Sequence, residues 1–355
     1  MKTLRAVKGM NDVLPEEIPG WRRIEDAFWR TAERHRFFEV RTPVVEPTEL
    51  FVRSIGEVTD IVEKEMYTFA DKGAHSLTLR PEGTASAARA YIQHAVQGRE
   101  PVSRWAYFGP MFRRERPARG RYRQFWQAGC EVYGDAGPFS DAEMIHMLVS
   151  LFRELGVEDL EVLVNSLGSG TTRPRYLEAL VAYLEPHKDG LSDDSQRRLH
   201  ENPLRVLDSK APQDQEIAAG APTILDYLED DDRAHFDELK ATLDALGTPY
   251  RVEPTLVRGL DYYSRTLFEI RGRGGELGAQ NTLCGGGRYD GLLEELGGKP
   301  TPAIGFAMGI ERLLLVMQPE PGVAAPDVFV VVPDKDKRRD GCVLLADQLL
   351  RRGPH

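Results

Sequence analysis

Hydrophobic residues near the N-terminus recur at helical spacing. The apolar positions are Trp21, Ile24, Ala27, Phe28 and Trp29, and arginines and acids occupy the positions between them. This rhythm predicts an amphipathic helix over residues 21–36. The helix should end before Pro43, because proline disfavours helix in the residue before it, and Val44 and Val45 favour extended chain. The pattern therefore predicts a helix followed by a strand.

Two apolar, aromatic segments flank a polar segment rich in arginine. SRWAYFGPMF begins at Ser103, RQFWQAGCEVY ends at Tyr133, and RRERPARGR lies between them. The proline and glycine of the polar segment fit a hairpin loop, so two long antiparallel strands are predicted. Alternate side chains of a strand share a face. One face should form a pocket floor, with Phe125, Gln127, Gly129 and Glu131. The other face should pack against the protein, with Trp126, Ala128 and Cys130.

The remaining pattern divides the chain. From about Gly168 to Tyr250, leucines and alanines at helical spacing among many acids predict a helical insertion. Strand patterns return at TLVRGLDYYSRTLFEIRG and AIGFAMG, and helices follow CGGGRYDGL and AIGFAMG. We therefore expect an α+β fold in which residues 1–167 and 251–325 form one domain and residues 168–250 the insertion. DVFVVV and one helix after it cannot enclose a core, so residues 326–355 are predicted to begin an incomplete α/β domain.

Composition restricts the function classes. The chain has 355 residues and a formal charge of −10, which argues against uniform coating of nucleic acid and makes any RNA contact regional. Its three cysteines form no C-x-x-C pair and its eight histidines show no ligand spacing, so neither a disulfide framework nor a zinc site is expected. The N-terminus lacks a signal-peptide core, and no run of about 18 apolar residues occurs. A soluble protein of the reducing cytoplasm fits these features.

The polar hairpin segment concentrates positive charge. Its arginines are Arg113, Arg114, Arg116, Arg119, Arg121 and Arg123. A solvated charge run is one interpretation. However, a cluster with few acids repels itself unless a polyanion neutralises it, and a nucleoside triphosphate or RNA phosphate would do so. No P-loop motif is present, and the glycine-rich residues 272–278 fit a flexible turn.

Six motifs in fixed order give a specific resemblance. They are PVVEPTELF, TLRPEGT, FRRERPARGRYRQFWQAGCEVYG, LVRGLDYYSRTLFE, CGGGRYDGL and AIGFAMGIERLLL. Together they resemble the histidyl-tRNA synthetases, which are class II aminoacyl-tRNA synthetases, over essentially the whole chain. The resemblance implies a class II catalytic fold with a mainly antiparallel sheet, a homodimer formed through residues 21–47, and a C-terminal domain that reads the anticodon. It implies activation of L-histidine by ATP and transfer to tRNA(His).

The resemblance also implies residue roles in ATP binding. Arg113 would bind the α-phosphate, Arg121 and Arg312 the outer phosphates, and Glu115 with Phe125 the adenine. Arg258 would bridge the histidine carboxylate and the α-phosphate as the catalytic cation. Mg²⁺ is expected to bridge phosphates of ATP rather than to occupy a protein cage.

For histidine, the resemblance implies acceptors for the ammonium and partners for the imidazole ring. It assigns the α-amino group to Glu82, Thr84 and Gln127, and the ring to Glu131 and Tyr263, with Tyr262 nearby. Gly83, Gly286 and Gly287 would allow close backbone approach.

Each role has a structural alternative. Glu82 could cap a helix that begins at Thr84. Arg258 could pair with Asp261, and Arg312 with Glu311, while the two tyrosines could be strand core and edge.

Two features depart from the bacterial family pattern. Ala118, Arg119 and Trp126 stand where glutamine, lysine and histidine are usual. Trp126 should face away from Gln127, so histidine activation is expected to survive, whereas the loop change lies where the tRNA acceptor end would approach. The incomplete C-terminal domain implies weak tRNA binding.

Two other functions compete with the synthetase. Non-catalytic paralogues that regulate ATP phosphoribosyltransferase in histidine biosynthesis keep the fold and can lose catalytic arginines, yet Arg113, Arg258 and Arg312 all remain here. An RNA-binding or scaffold module that uses only the arginine hairpin would leave the pocket residues on the strand unexplained.

Overall fold

The computed structural model describes residues 3–56, 59, 61–273, 281–317 and 347–348. The strands are β1 (Phe38–Glu39), β2 (Val45–Pro47), β3 (Tyr67–Ala70), β4 (Ser76–Leu79), β5 (Ser103–Phe112), β6 (Gln124–Tyr133), β7 (Leu160–Ser166), β8 (Arg251–Val252), β9 (Ser264–Gly272), β10 (Thr282–Arg288) and β11 (Ala303–Gly309). The helices are α1 (Ile18–Arg34), α2 (Thr48–Ile55), α3 (Thr84–Gln93), α4 (Pro138–Glu154), α5 (Thr172–Leu184), α6 (Asp193–Glu201), α7 (Leu204–Leu207), α8 (Pro212–Ala218), α9 (Asp230–Ala245), α10 (Leu292–Glu295) and α11 (Ile310–Val316).

A large mixed sheet carries the fold. Its strand order is β1-β5-β6-β11-β10-β9-β7-β8, and a second sheet has the order β2-β4-β3. In the large sheet the pairs β1–β5 and β7–β8 are parallel and the other neighbours are antiparallel. The predicted α+β fold with a mainly antiparallel sheet is confirmed.

The N-terminal helix and the arginine hairpin follow the sequence pattern closely. Strands β5 and β6 pair from Ser103 opposite Tyr133 to Phe112 opposite Gln124, as the two-strand prediction requires. Helix α1 begins three residues earlier than predicted. Pro19 lies in its first turn, where a missing backbone N–H leaves no hydrogen bond unmade, so proline starts this helix rather than breaking it.

The main core lies between the large sheet and a helical layer. Helix α4 packs against α1 and α9, and its buried residues share one apolar cluster with those of the central strands. The predicted helical segment is present as α5 to α9. Phe236, Leu239 and Leu243 of its last helix enter the main core, so α9 packs on the body. The proposed division into domains stays a prediction.

A buried ion pair joins these layers. Arg288 of β10 has no exposed surface and pairs with Asp141 of α4, which is also fully buried. Asp141 shares a 2.8 Å hydrogen bond with Nε2 of His235, from α9. One carboxylate thereby links the sheet to two helices of the covering layer. Leaving such a charge without its partner would be costly.

Parts of the sequence prediction lie outside the described residues. These parts are most of residues 326–355, with the predicted final strand and helix, and most of the glycine-rich turn at 272–278. No helix within the described ranges is both long enough and apolar enough to span a membrane.

Candidate functional site

A pocket opens where the arginine hairpin, the start of α3, the strands β6, β10 and β11, the start of α11 and the segment 258–263 before β9 meet. Its wall includes every predicted site residue except Glu131 and the three glycines Gly83, Gly286 and Gly287. These wall residues are Glu82, Thr84, Arg113, Glu115, Arg121, Phe125, Gln127, Arg258, Tyr262, Tyr263 and Arg312. They come from segments up to 230 positions apart in the sequence. The fold therefore gathers the predicted residues into one site.

Side chains alternate between the two faces of β6, and this alternation places two of the wall residues in the pocket. Phe125 and Gln127 line the pocket. Trp126 lies on the opposite face, with its ring centroid 6.0 Å from that of Trp21 and 5.6 Å from that of Phe108. Ala128 and Cys130 also lie in the main core on that face. The structure thus places Phe125 and Gln127 on the pocket side and the packing residues on the other, and the unusual tryptophan faces away from the pocket.

Positive charge is concentrated in this pocket. The predicted arginines in its wall are Arg113, Arg121, Arg258 and Arg312. Burial lowers the pKa of Arg312 to about 10, and repulsion from the other three arginines adds to this effect. Arg312 Nε donates to Gly120 O at 2.9 Å and Nη1 donates to Thr282 O at 3.0 Å, which holds the cation in the pocket. A multiply charged anion would relieve the repulsion.

The hairpin arginines are placed by their own strand and loop. Arg113 Nε donates to Pro81 O at 2.9 Å, and its guanidinium lies 5.3 Å from the centroid of the Phe125 ring. Arg121 forms an ion pair with Glu115. Glu115 is itself mostly buried, with an exposed fraction of 9%. An aromatic face, a carboxylate and two cations therefore lie side by side.

Arg258 pairs with a different carboxylate from the one considered in the sequence. It forms an ion pair with Glu269 of β9. The alternative pairing with Asp261 is wrong, because the Asp261 carboxylate instead accepts a hydrogen bond from Asn202 Nδ2 at 3.2 Å. Burial acts to lower the pKa of Arg258, but Glu269 together with Tyr263 and other neighbouring groups outweighs it and the pKa is raised. Arg258 therefore remains a cation.

Two acceptors lie at the other end of the pocket. Glu82 accepts hydrogen bonds from Thr84 N at 2.6 Å and Ala85 N at 2.8 Å, so the predicted capping of α3 is present. Burial nevertheless raises the Glu82 pKa. Gln127 Oε1 is buried and has no hydrogen-bond partner among the described residues. Buried acceptors are normally satisfied, so this amide suits a ligand with N–H donors.

Glu131 lies behind the pocket rather than in its wall. It has no exposed surface and accepts hydrogen bonds from Thr84 Oγ1 at 2.8 Å, Tyr107 OH at 3.0 Å and Tyr289 OH. Burial raises the pKa of Glu131 to about 8, against the effect of these hydroxyl groups. Strand β6 runs from the edge of the pocket into the middle of the sheet, so Glu131, near the end of this strand, is deeply buried. In this structure Glu131 acts on the pocket through Thr84.

None of the three predicted glycines, Gly83, Gly286 and Gly287, has room for a Cβ. A Cβ at Gly83 would lie 2.3 Å from Tyr107 Cε2, and one at Gly286 would lie 2.5 Å from Phe268 Cζ in the core. Neither glycine therefore serves the pocket wall directly. Gly285, which the sequence prediction missed, does so: a Cβ there would lie 2.2 Å from Arg258 Nη2. A register shift in the pairing of β10 with β9 lies just before this glycine, between Thr282 and Cys284.

Two tyrosines complete the wall. Tyr262 and Tyr263 have ring centroids 4.7 Å apart, and both side chains are buried. Burial raises the pKa of Tyr263 to about 12. Its hydroxyl therefore stays protonated at neutral pH and can donate or accept a hydrogen bond.

Sequence reasoning also missed Tyr107, Tyr289, Glu269 and Thr282. Tyr289 stands inside the quoted GGGRYDGL motif, so its position was a usable signal. Glu269 likewise ends the quoted motif LVRGLDYYSRTLFE, whereas Tyr107 and Thr282 lie outside the six motifs. Among the residues that the structure describes, no group of three or more histidine, cysteine or acidic side chains is arranged to hold a metal ion.

Comparisons with known proteins show which family this chain resembles in sequence and in fold. The sequence profile described as Histidyl-tRNA synthetase matches residues 9–313. A histidine--tRNA ligase of Sorangium cellulosum is 57% identical over 350 residues, which span 99% of this chain and 81% of that protein. Another, of Alkalilimnicola ehrlichii, is 54% identical over 339 residues, or 94% of this chain and 78% of that protein. The structure of apo S. aureus histidyl-tRNA synthetase matches with a TM-score of 0.78 and 38% identity, and the match covers 99% of this chain and 84% of that one.

Proposed function

Because this chain belongs to the histidyl-tRNA synthetase family and is an aminoacyl-tRNA ligase for histidine, we propose that the pocket is where histidine and ATP react. The reaction joins the histidine carboxylate to the α-phosphate, releases pyrophosphate, and leaves histidyl-adenylate for transfer to tRNA(His). The observation that carries this assignment is the convergence of arginines on a pocket that also holds the unpartnered Gln127 amide oxygen. One end suits phosphates and the other an ammonium.

The cationic end is assigned to ATP. Arg113 binds the α-phosphate, where negative charge grows as the carboxylate attacks in line. Arg121 and Arg312 bind the outer phosphates, and Arg258 bridges the histidine carboxylate and the α-phosphate. The adenine lies by Glu115 and Phe125, whose ring offers a stacking surface. Mg²⁺ enters with ATP as part of the substrate and bridges its phosphates.

The acidic and phenolic end is assigned to histidine. The ammonium is bound by Glu82, Thr84 and Gln127, which all line the pocket. The hydroxyl of Tyr263 contacts the imidazole ring, and Tyr262 packs beside it. Glu131 contributes through Thr84 and through the hydroxyl groups around it. This differs from direct ring binding, which the resemblance alone implied.

Two further features belong to the same proposal. The protein forms a homodimer through residues 21–47 and works in the cytoplasm. Phe38 and Val45 support the dimer, because these apolar side chains are 63% and 39% exposed in the single chain. Sedimentation of Phe38→Glu beside the unaltered chain tests it: the variant should be monomeric, and an unaltered monomer would contradict the proposal.

Histidine-dependent exchange of pyrophosphate into ATP tests the reaction. The unaltered chain should catalyse it, and Arg258→Ala should lose roughly 10²- to 10³-fold in rate while it keeps the fold. Arg273→Ala is the matched control, because Arg273 comes directly after β9, is largely exposed and pairs with Glu161, which does not line the pocket. An unaltered chain without exchange would contradict the proposal and favour the non-catalytic regulatory paralogue.

A further inference from the structure

A buried carboxylate stands behind the pocket and has no part in the function proposed so far. Glu269 of β9 is only 5% exposed. Its carboxylate accepts hydrogen bonds from Arg258, from Arg271 Nε at 2.6 Å and from Thr282 Oγ1 at 3.0 Å. A carboxylate with three donors, two of them cationic, is a rigid anchor for the groups around it.

The contact with Arg258 restricts that side chain from two sides. The guanidinium lies flat over Gly285, where an added Cβ would be 2.4 Å from Cζ and 2.2 Å from Nη2. Glu269 bonds Nη1 alone, so Nε and Nη2 are not used by this carboxylate. An arginine side chain otherwise loses considerable rotamer freedom when it binds a ligand. Here Glu269 and the backbone of β10 restrict that freedom before substrate binds.

The same carboxylate is linked to a second pocket arginine through Thr282. The Thr282 hydroxyl donates to Glu269 at 3.0 Å, while its carbonyl oxygen accepts from Arg312 Nη1 at 3.0 Å. Thr282 lies at the register shift of β10. The two contacts therefore fix the positions of Arg258 and Arg312 relative to each other.

The charges of Glu269 and its partners favour a permanent contact between Glu269 and Arg258. Burial acts to raise the pKa of Glu269, but Arg258 and Arg271 outweigh it, and the Thr282 hydroxyl adds to their effect, so that the pKa lies below its usual value. The carboxylate is therefore ionised at neutral pH and remains paired.

We propose that Glu269 is a positioning residue for histidine activation, which acts by holding Arg258 in the orientation that meets the histidine carboxylate and the α-phosphate. This inference rests on the proposed function of the pocket. The physical reason is preorganisation: a cation that is already oriented stabilises the developing charge without a cost of reordering during the reaction. Thr282 extends the effect to Arg312.

Glu269→Gln tests this role in the pyrophosphate-exchange assay. The amide keeps the size of the side chain but loses the charge that orients Arg258, so kcat should fall roughly 10- to 100-fold. The KM values for histidine and ATP should change by less than about threefold, because the ground-state contacts remain. Glu269→Asp should recover part of kcat. Glu161→Gln is the matched control, since Glu161 of β7 pairs with Arg251 and Arg273, and its kcat should stay within about twofold.

A double-mutant cycle separates positioning from general structural support. If Glu269 acts through Arg258, Glu269→Gln should cause little further loss in an Arg258→Ala background. An equal loss in both backgrounds, or a normal kcat for Glu269→Gln, would overturn the inference. Thermal unfolding identifies a variant that fails to fold, and in that case the cycle with Glu269→Asp decides by the same criteria. Pyrophosphate exchange by the unaltered chain tests the proposed function separately. If the unaltered chain shows no exchange, the proposed function fails; if it exchanges normally and Glu269→Gln has a normal kcat, only the inference about Glu269 fails.

Discussion

Replacing Glu131 by glutamine should flatten the pH dependence of stability. Glu131 is fully buried, and burial raises its pKa in the folded protein from the ordinary value of 4.5 to about 8, with repulsion from Glu82 in the same direction. Between these values the folded chain holds a proton that the unfolded chain releases. Stability from this group is therefore fully present below pH 4.5 and is lost as pH rises through the folded pKa.

The size of the effect follows from the two pKa values. Between pH 5 and pH 8 the unaltered chain should lose about 3–4 kcal/mol of unfolding free energy through Glu131 alone. Glu131→Gln keeps a neutral group of similar size, and it does not titrate. The difference in stability between the two proteins should therefore shift by about that amount, in favour of the variant at high pH.

Urea unfolding followed by tryptophan fluorescence at several pH values measures this shift. Burial also raises the pKa of Glu311, to about 7, but this residue contributes equally to both proteins and cancels in the comparison. Glu238→Gln, at an exposed position of α9, is the control and should follow the unaltered chain. If Glu131→Gln loses stability in parallel with the unaltered chain from pH 5 to pH 8, the reasoning about Glu131 is wrong.

Two further variants test the packing around the pocket. Arg288→Met should lower the unfolding free energy by about 3–5 kcal/mol, because it leaves the buried Asp141 carboxylate without its cation; urea unfolding at pH 7 measures this, and a loss below about 1 kcal/mol would contradict it. Gly83→Ala should cost about 1–3 kcal/mol and raise the KM for histidine in the exchange assay, because its Cβ would displace the Tyr107 ring beside Glu131. Gly98→Ala, whose Cβ would meet no atom within 4 Å, is the matched control and should leave KM unchanged.

Local sequence pattern was sufficient for the strand that forms the pocket floor. Side chains alternate along any strand, so the pattern alone separated Phe125 and Gln127 from Trp126 and Ala128. The paired strands β5 and β6 and the helix at the N-terminus were predictable for the same reason. Their periodicity reflects backbone geometry, which is local.

The local pattern could not predict how deeply a side chain is buried or which residue it contacts. Glu131 shares a strand face with Gln127, yet it lies behind the wall because tyrosines from two other strand segments cover it. Gly285, rather than Gly286, lies under Arg258. A pattern of three glycines does not show which of them faces an arginine from another segment.

The order of motifs and the alternation of side chains thus determined the family, the mainly antiparallel sheet and eleven residues of the pocket wall. Tertiary structure alone decided that Arg258 pairs with Glu269 rather than with Asp261, which is closer in sequence. The physical reason is that an ion pair depends on distance and burial in space. Both are set by strands that meet only after the chain has folded.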